Sequence, residues 1–331
     1  MTVGWGIIGI GTLADVSIAP AIARQGGSEL VAVTSRSLER AEQFARRHHA
    51  TRAYDDFAAM LADQAVDVVY IATPNGLHAV HTLGALDAGK HVLVDKPMAL
   101  SIEDGRAMVA AADAAGLKLG VGFQMRHKEV NRVGRDVISE GLIGRPVFFE
   151  LSIGAGRQLY PYHTWRADGA LAGGGTLLNQ GTHGIDLSQF LAGSPIVEVS
   201  ALTDSDSIED VVAAACRLAN GALATIASNQ VIGGTPRNWL AVGQNGWLEG
   251  RGATAGAAGD EVVLHDEGGE AKLLASSNRS AYDAEIDAFA KAVTGAAEVN
   301  GSGRDGLRVI AVSEALYRSA RSKRVVEVEQ V

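Results

Sequence analysis

Cysteine is almost absent from the 331 residues: there is one, Cys216. A lone cysteine excludes an internal disulfide framework and fits a reducing compartment. Positive charge is also short. With 29 Lys and Arg against 38 Asp and Glu the formal net charge is −9, and no basic stripe of the kind a nucleic-acid binder shows is visible. No uninterrupted apolar run reaches the roughly 18 residues that a membrane span needs. The apolar start MTVGWGIIGIG lacks the basic region of a secretory signal. The 40 glycines follow no strict period, which excludes a collagen or a repeat array. What remains is ordinary globular composition at a length for about two domains. The expected location is the cytoplasm, with no nucleic-acid or membrane partner.

Residues 1–122 alternate short β-branched runs with longer amphipathic ones. Strands are expected at VGWGIIG, ELVAVTS, VDVVYIAT, KHVLVDKP and LKLGVGF. Helices are expected over 13–25, 37–48 and 101–116. Ser37 is placed to cap the second, and a Ser-x-x-Asp box opens the third, which closes at Gly116. Pro20 should end or kink the first helix. Near-continuous apolar strands alternating with helices mean a parallel sheet covered on both faces. After about residue 145 strand-like runs follow one another (PVFFELSIG, PIVEVSALT, VVAAACRL, ALATIASNQV, NWLAVGQ, GWLEG, EVVLHD). They predict a mostly antiparallel sheet, joined by one helix over 177–191 and two closing helices. The glycine-rich stretch 251–261 is expected to be an exposed loop. The expected fold class is α/β: a Rossmann-type doubly wound parallel sheet in 1–122, then an α+β domain with an open antiparallel sheet in 123–331.

GIGTLA sets Gly9, Gly11 and Ala14 in a G-x-G-x-x-A pattern between a strand and a helix. That context brings the backbone close to a pyrophosphate and aims a helix N-terminus at it. Dinucleotide enzymes selective for NAD place a carboxylate at the end of the second strand to hold the ribose 2′-OH. This chain has Thr34-Ser35-Arg36-Ser37 there, with Arg40 one turn on. Arg36 and Arg40 suit a 2′-phosphate, so the expected cofactor is NADP, with NAD as the alternative; the plainer reading makes Arg36 a solvated turn residue.

TPNGLH (73–78), GKHVLVDKPMAL (89–100) and GGGTLLNQGTHGIDL (173–187) together resemble the Gfo/Idh/MocA family of sugar and polyol oxidoreductases, over essentially the whole chain. The resemblance implies hydride transfer between a nicotinamide and a hydroxyl or carbonyl carbon of a sugar, cyclitol or related polyol. It places Gly9, Gly11, Thr12 and Leu13 against the pyrophosphate, and Thr73, Pro74, Asn75 and His78 beside the nicotinamide ribose. Lys96 then touches both cofactor and substrate, Asp95 stands where the family usually has Glu, and His183 is the catalytic histidine. Asn179 stands at a position that is often Asp. The spacing of YHTWRAD and of Tyr282 is also similar to the 1,5-anhydrofructose reductase branch, in which the residues matching Trp165, Arg166 and Tyr282 lie at the cofactor.

The chemistry agrees with those roles. A lysine ammonium stabilises a developing alkoxide, and an imidazole exchanges protons near neutral pH. Asn179 carries no charge, so it either binds a substrate hydroxyl or orients His183. The glycines of 173–175 give the chain room to pass close to cofactor and substrate. Tyr160, Tyr162 and His163 concentrate rings in a chain with 5% aromatics, which suits the C–H faces of a sugar; an oligomer interface is the plainer use. Arg126 is a substrate candidate at the end of the last parallel strand. His183 with Asp186 makes a poor metal site, since no further ligands have the right spacing; Asp186 is expected to pack near the helix end or to pair with a basic neighbour. An NAD-dependent glycoside hydrolase of the same fold and a non-catalytic cofactor sensor are the competing readings. The open sheet implies a homodimer or homotetramer.

Overall fold

The computed structural model describes residues 2–156, 164–233, 235–254 and 259–331. The chain divides into two units, residues 1–122 with 282–307 and residues 123–281 with 308–331. The first is built on β1 (Val3–Ile8), β2 (Ser28–Thr34), β3 (Arg52–Tyr54), β4 (Val68–Ile71), β5 (His91–Val94) and β6 (Leu119–Val121). They pair in parallel in the order β3-β2-β1-β4-β5-β6. The order reverses between β1 and β4, and ligands of doubly wound sheets bind outside the strand C-termini at that reversal. β1 is buried along its whole length, as a strand covered on both faces must be.

Pro20 does not end the first helix. A wide π turn at Ala14–Ile18 precedes it, closed by the Ala19 N–H on the Ala14 carbonyl, and Pro20 then sits in the first turn of α1 (Ala19–Arg24). The change of register falls where the proline lacks its N–H, so no regular i→i−4 bond is sacrificed.

A single cut between residues 122 and 123 does not describe where the later residues pack. Parallel register sets Ile7, Tyr70, Leu93 and Gly120 on one face of the sheet. Ile286 and Phe289, from the helix Ala281–Val293, join the apolar cluster containing Trp5, Ile7, Tyr70 and Leu93. A Cβ on Gly120 would lie 2.6 Å from the Phe289 ring, so glycine makes the seat for that ring. The edge of β6 is also closed from this segment: Val121 N–H donates to the Gly301 carbonyl at 2.8 Å, and Gly120 bridges to Ser302. Edge pairing and apolar cover, neither visible in local periodicity, bring 282–307 back to the first unit.

Among the described residues the second unit holds nine strands: β7 (Pro146–Gly154), β8 (Ile196–Thr203), β9 (Val211–Leu218), β10 (Leu223–Asn229), β11 (Trp239–Gly243), β12 (Gly246–Arg251), β13 (Asp260–Asp266), β14 (Ala271–Ser277) and β15 (Val326–Glu327). Their order is β14-β13-β12-β11-β7-β10-β9-β8-β15, and every pairing is antiparallel except β7 with β10. β9 alternates strictly: Val212, Ala214, Cys216 and Leu218 are buried, while Val211, Ala213, Ala215 and Arg217 are exposed. Burial pushes the Cys216 thiol up to about 12, which keeps it inert. Two helices, Glu129–Ser139 and Thr182–Ala192, pack on this sheet. Gly184 lets the second come close, since a Cβ there would sit 2.8 Å from Ile226.

Candidate active site

The nucleotide half belongs to the first unit. Gly9 follows β1 at φ +91, and a Cβ there would meet the Ala72 carbonyl at 2.5 Å. Gly9 therefore lets the end of β1 press against the chain that leaves β4. A Cβ on Gly11 would meet nothing within 4 Å, so the turn is open on that side. Asp15 N–H closes the first helical bond on the Gly11 carbonyl at 3.0 Å, so the helix begins here and its leading N–H groups, at Thr12 and Leu13, have no intrahelical acceptor. An open backbone face at a helix N-terminus fits a pyrophosphate.

At the end of β2, Thr34 is buried and Ser35 half-buried, while Arg36 and Arg40 are exposed. The Ser37 hydroxyl accepts the Arg40 N–H and caps the helix Leu38–His48, which sets Arg40 one turn past Arg36. Residues 34–37 contain no carboxylate.

Thr73, Pro74 and Asn75 follow β4, and Asn75 opens a short turn of helix, Asn75–Leu77. His78 is fully buried: Nδ1 lies 2.7 Å from the Pro97 carbonyl and Nε2 2.8 Å from the Thr73 carbonyl. Burial holds its pKa below the usual imidazole value, and a neutral ring donates from only one nitrogen. His78 thus ties the Thr73 segment to the Lys96–Pro97 segment, next to the loop expected beside the nicotinamide ribose. Asp95 and Lys96 are half-buried just past β5. A Cβ on Gly122 would lie 3.1 Å from Asp95 Oδ1 and 3.5 Å from the Tyr70 hydroxyl, so Gly122 leaves room for both. Tyr282 packs against the apolar cluster.

One residue of this half escaped the motif reading. Among the described residues Glu285, 1% exposed, has no hydrogen-bond partner for either carboxyl oxygen, and neither has the buried Tyr70 hydroxyl. Burial first, then the charge of Asp95, pushes the Glu285 pKa well above the usual carboxylate value. The signal was present: Tyr282, Glu285 and Phe289 recur at helical spacing, which sets an acid on the apolar stripe.

The other candidates belong to the second unit. Tyr160, Tyr162 and His163 lie outside the described residues. Trp165 and Arg166 form a short 3₁₀ turn, Trp165–Ala167, with the guanidinium 4.3 Å from the indole centroid. Arg126 is buried, its Nε and Nη2 both go to Asp186 at 2.6–2.9 Å, and it lies over the Phe190 ring. Asp186 does pair with a basic residue, and this bidentate pair fixes the His183 helix. Among the described residues no group of three or more His, Cys, Asp or Glu is arranged to hold a metal ion.

The helix of Asn179 and His183 opens with a π turn, Leu177–Gly181, a feature frequent at functional sites. His183 is 4% exposed, and Asn179 Nδ2 donates to Gln230 Oε1 at 3.0 Å. Glu209, which the motif reading missed, takes the helix start. Its Oε2 accepts the Gly175 N–H at 3.0 Å, its backbone carbonyl the Thr176 N–H at 2.8 Å and its Oε1 the Leu177 N–H at 2.8 Å. The Tyr317 hydroxyl also donates to Oε1, at 3.1 Å. Burial pushes the Glu209 pKa up, and these hydrogen bonds oppose it. A Cβ on Gly175 would lie 1.9 Å from the Glu209 carbonyl oxygen, and one on Gly174 2.0 Å from the Tyr317 hydroxyl. Protein groups fill the space beside Gly174 and Gly175, which corrects the expectation that the glycines leave it to cofactor and substrate.

Comparison with known proteins agrees with both halves. A profile described as "Oxidoreductase family, NAD-binding Rossmann fold" matches residues 3–123, and one described as "Oxidoreductase family, C-terminal alpha/beta domain" matches 135–328. The chain is 32% identical to 1,5-anhydro-D-fructose reductase of Ensifer adhaerens, over 98% of each chain. It is 31% identical to dTDP-3,4-didehydro-2,6-dideoxy-alpha-D-glucose 3-reductase of Streptomyces violaceoruber, over 95% of this chain and 92% of that one. Aldose-aldose oxidoreductase from Caulobacter crescentus, solved with glycerol, superposes with a TM-score of 0.91 at 29% identity, covering 99% of this chain and 100% of the other.

Proposed function

The chain belongs to the Gfo/Idh/MocA oxidoreductase family, and we propose that within it this enzyme moves a hydride between NADP(H) and a carbinol or carbonyl carbon of a sugar or polyol. The coarser statement, a sugar or polyol oxidoreductase with an NAD(P)-binding Rossmann fold, follows from the family. The observation that carries the NADP reading is the pair of exposed arginines, Arg36 and Arg40, at a strand end without a carboxylate. A charge-assisted hydrogen bond contributes about 1.5–3 kcal/mol, so one contact to a 2′-phosphate shifts preference roughly ten- to a hundredfold.

When bound, the nicotinamide accepts or donates the hydride at its ring carbon C4. The chain's own residues do the rest. Gly9, Gly11, Thr12 and Leu13 receive the pyrophosphate on backbone N–H groups, and Thr73, Pro74 and Asn75 border the ribose. Lys96 donates to the substrate oxygen and stabilises negative charge there; His183 exchanges that oxygen's proton. Trp165, Arg166 and Tyr282 border the cofactor, and Asn179 orients His183 or meets a substrate hydroxyl. A bare sheet face is the basis for a homodimer or homotetramer: Leu202 and Leu223 are 72% and 45% exposed on strands whose neighbouring residues Ala201 and Ala224 pack inward.

The deciding experiment is a panel of aldoses, ketoses, cyclitols and anhydroketoses with NADP(H) and NAD(H), followed at 340 nm. We expect at least about tenfold higher kcat/KM with NADP(H), falling toward parity in Arg36→Ala. Equal values with both cofactors in the unaltered enzyme would refute the NADP reading. Light scattering of the eluting protein gives the assembly, and a monomer would remove the oligomer.

A further inference from the structure

We propose that Glu209 is the positioning residue of the helix that carries Asn179 and His183. The proposal rests on reading His183 as the proton-exchanging group. A helix start leaves its first N–H groups without intrahelical partners, and a side chain usually caps only one of them. Here one residue from a distant loop takes three in succession: Gly175 on Oε2, Thr176 on the backbone carbonyl, Leu177 on Oε1. Three acceptors on consecutive amides fix the helix start in both rotation and translation. Asn179 lies within the next turn and His183 one turn later. The carboxylate also stands at the positive end of the helix dipole, where a negative charge is favoured.

The same residue reaches Asn179 by a second route. The Glu209 carbonyl also accepts from Gln230 Nε2 at 3.3 Å, and Gln230 Oε1 accepts from Asn179 Nδ2 at 3.0 Å. Glu209 thus touches the helix directly at its start and, through Gln230, at Asn179. Tyr317 completes the seat from the last helix, Gly303–Ser322. Gly174 and Gly175 are the other half of the device, since any side chain there would occupy the positions of Tyr317 and Glu209. The glycine run thus serves a buried latch, and the latch serves the histidine.

The test compares Glu209→Gln, Tyr317→Phe and His183→Gln with the unaltered enzyme, using the best substrate of the panel above. Amide hydrogen exchange is followed at residues 175–177, and thermal unfolding confirms that each variant is folded. Glu209→Gln sets an amide donor against N–H donors. Because about an ångström of misplacement costs up to a hundredfold, it should lower kcat roughly ten- to a hundredfold, leave KM for the nucleotide unchanged and speed exchange at 175–177. Tyr317→Phe removes one donor and keeps the three amide contacts, so its kcat should fall less and in the same direction. If Glu209→Gln does not fold, Tyr317→Phe decides: lower kcat with unchanged nucleotide KM supports positioning, and unchanged kcat overturns it. Faster exchange with unchanged kcat in folded Glu209→Gln would make the cap purely structural and sink the proposal. If His183→Gln leaves kcat unchanged, the role of His183 fails instead, so the two failures are distinguishable.

Discussion

In the first unit the buried Glu285 carboxyl and Tyr70 hydroxyl have no hydrogen-bond partner among the described residues, whereas several buried charged side chains of the second unit have partners. There Arg126 meets Asp186, Lys128 meets Asp260 at 2.5 Å, and the Glu209 carboxyl group meets two N–H groups and a phenol. Burial works against both members of the Lys128–Asp260 pair, lowering one pKa and raising the other. In the first unit burial pushes the pKa of an unpartnered acid up; in the second, hydrogen bonds and opposite charges oppose the same push of burial. Pairing also fixes geometry, because a bidentate contact specifies direction as well as distance. That is what a helix carrying a proton-exchanging residue needs. A buried acid without partners fixes little and makes stability depend on pH.

The largest effect should come from breaking a pair. Asp186→Asn leaves the Arg126 guanidinium buried without its counter-charge, which costs about 3–5 kcal/mol. Urea unfolding measures this, and a loss below about 1 kcal/mol would show that the pair behaves like a surface contact. Next comes packing in the first unit. Gly120→Ala forces a methyl against the Phe289 ring and should cost about 1–3 kcal/mol. In a Phe289→Leu background the penalty should shrink; an equal penalty there would clear the ring. The smallest effect concerns Glu285. Its folded pKa is raised above the ordinary 4.5, so the folded state holds the proton more tightly than the unfolded chain. The resulting stability is complete below that ordinary value and is lost as pH rises from 4.5 through the raised folded value. Glu285→Gln, neutral at every pH, should show a flatter fall of unfolding midpoint with pH across that window. Parallel curves for the two proteins would mean that Glu285 is not the group responsible.

Much of the fold was legible because it is written locally. The runs read as β7 and β9 agree residue for residue, since an apolar edge or strict alternation marks a strand whatever surrounds it. The glycine turn before the first helix and the arginines at the end of β2 were legible for the same reason. β14 was missed: most of Ala271–Ser277 is exposed or only partly buried, so little contrast marks its two faces. Long-range partners left no local trace. Glu209 meets Gly175 across 34 residues, and Asp186 meets Arg126 across 60, separations at which periodicity carries nothing. The counter-charge of Arg126 was out of sight along the chain in the same way.

The return of residues 282–307 to the first sheet has a consequence in time. During synthesis all six parallel strands emerge before residue 122, while Ile286 and Phe289 and the backbone that closes β6 come more than a hundred and fifty residues later. Domains generally fold as they leave the ribosome, N-terminal first, but this one cannot finish that way. Until its last segment arrives, the nascent sheet carries an uncovered apolar strip around Trp5 and Tyr70 and an open edge ready to pair with another chain. A shortened chain ending near residue 122 would keep both exposures permanently, so it should aggregate where the full-length protein does not.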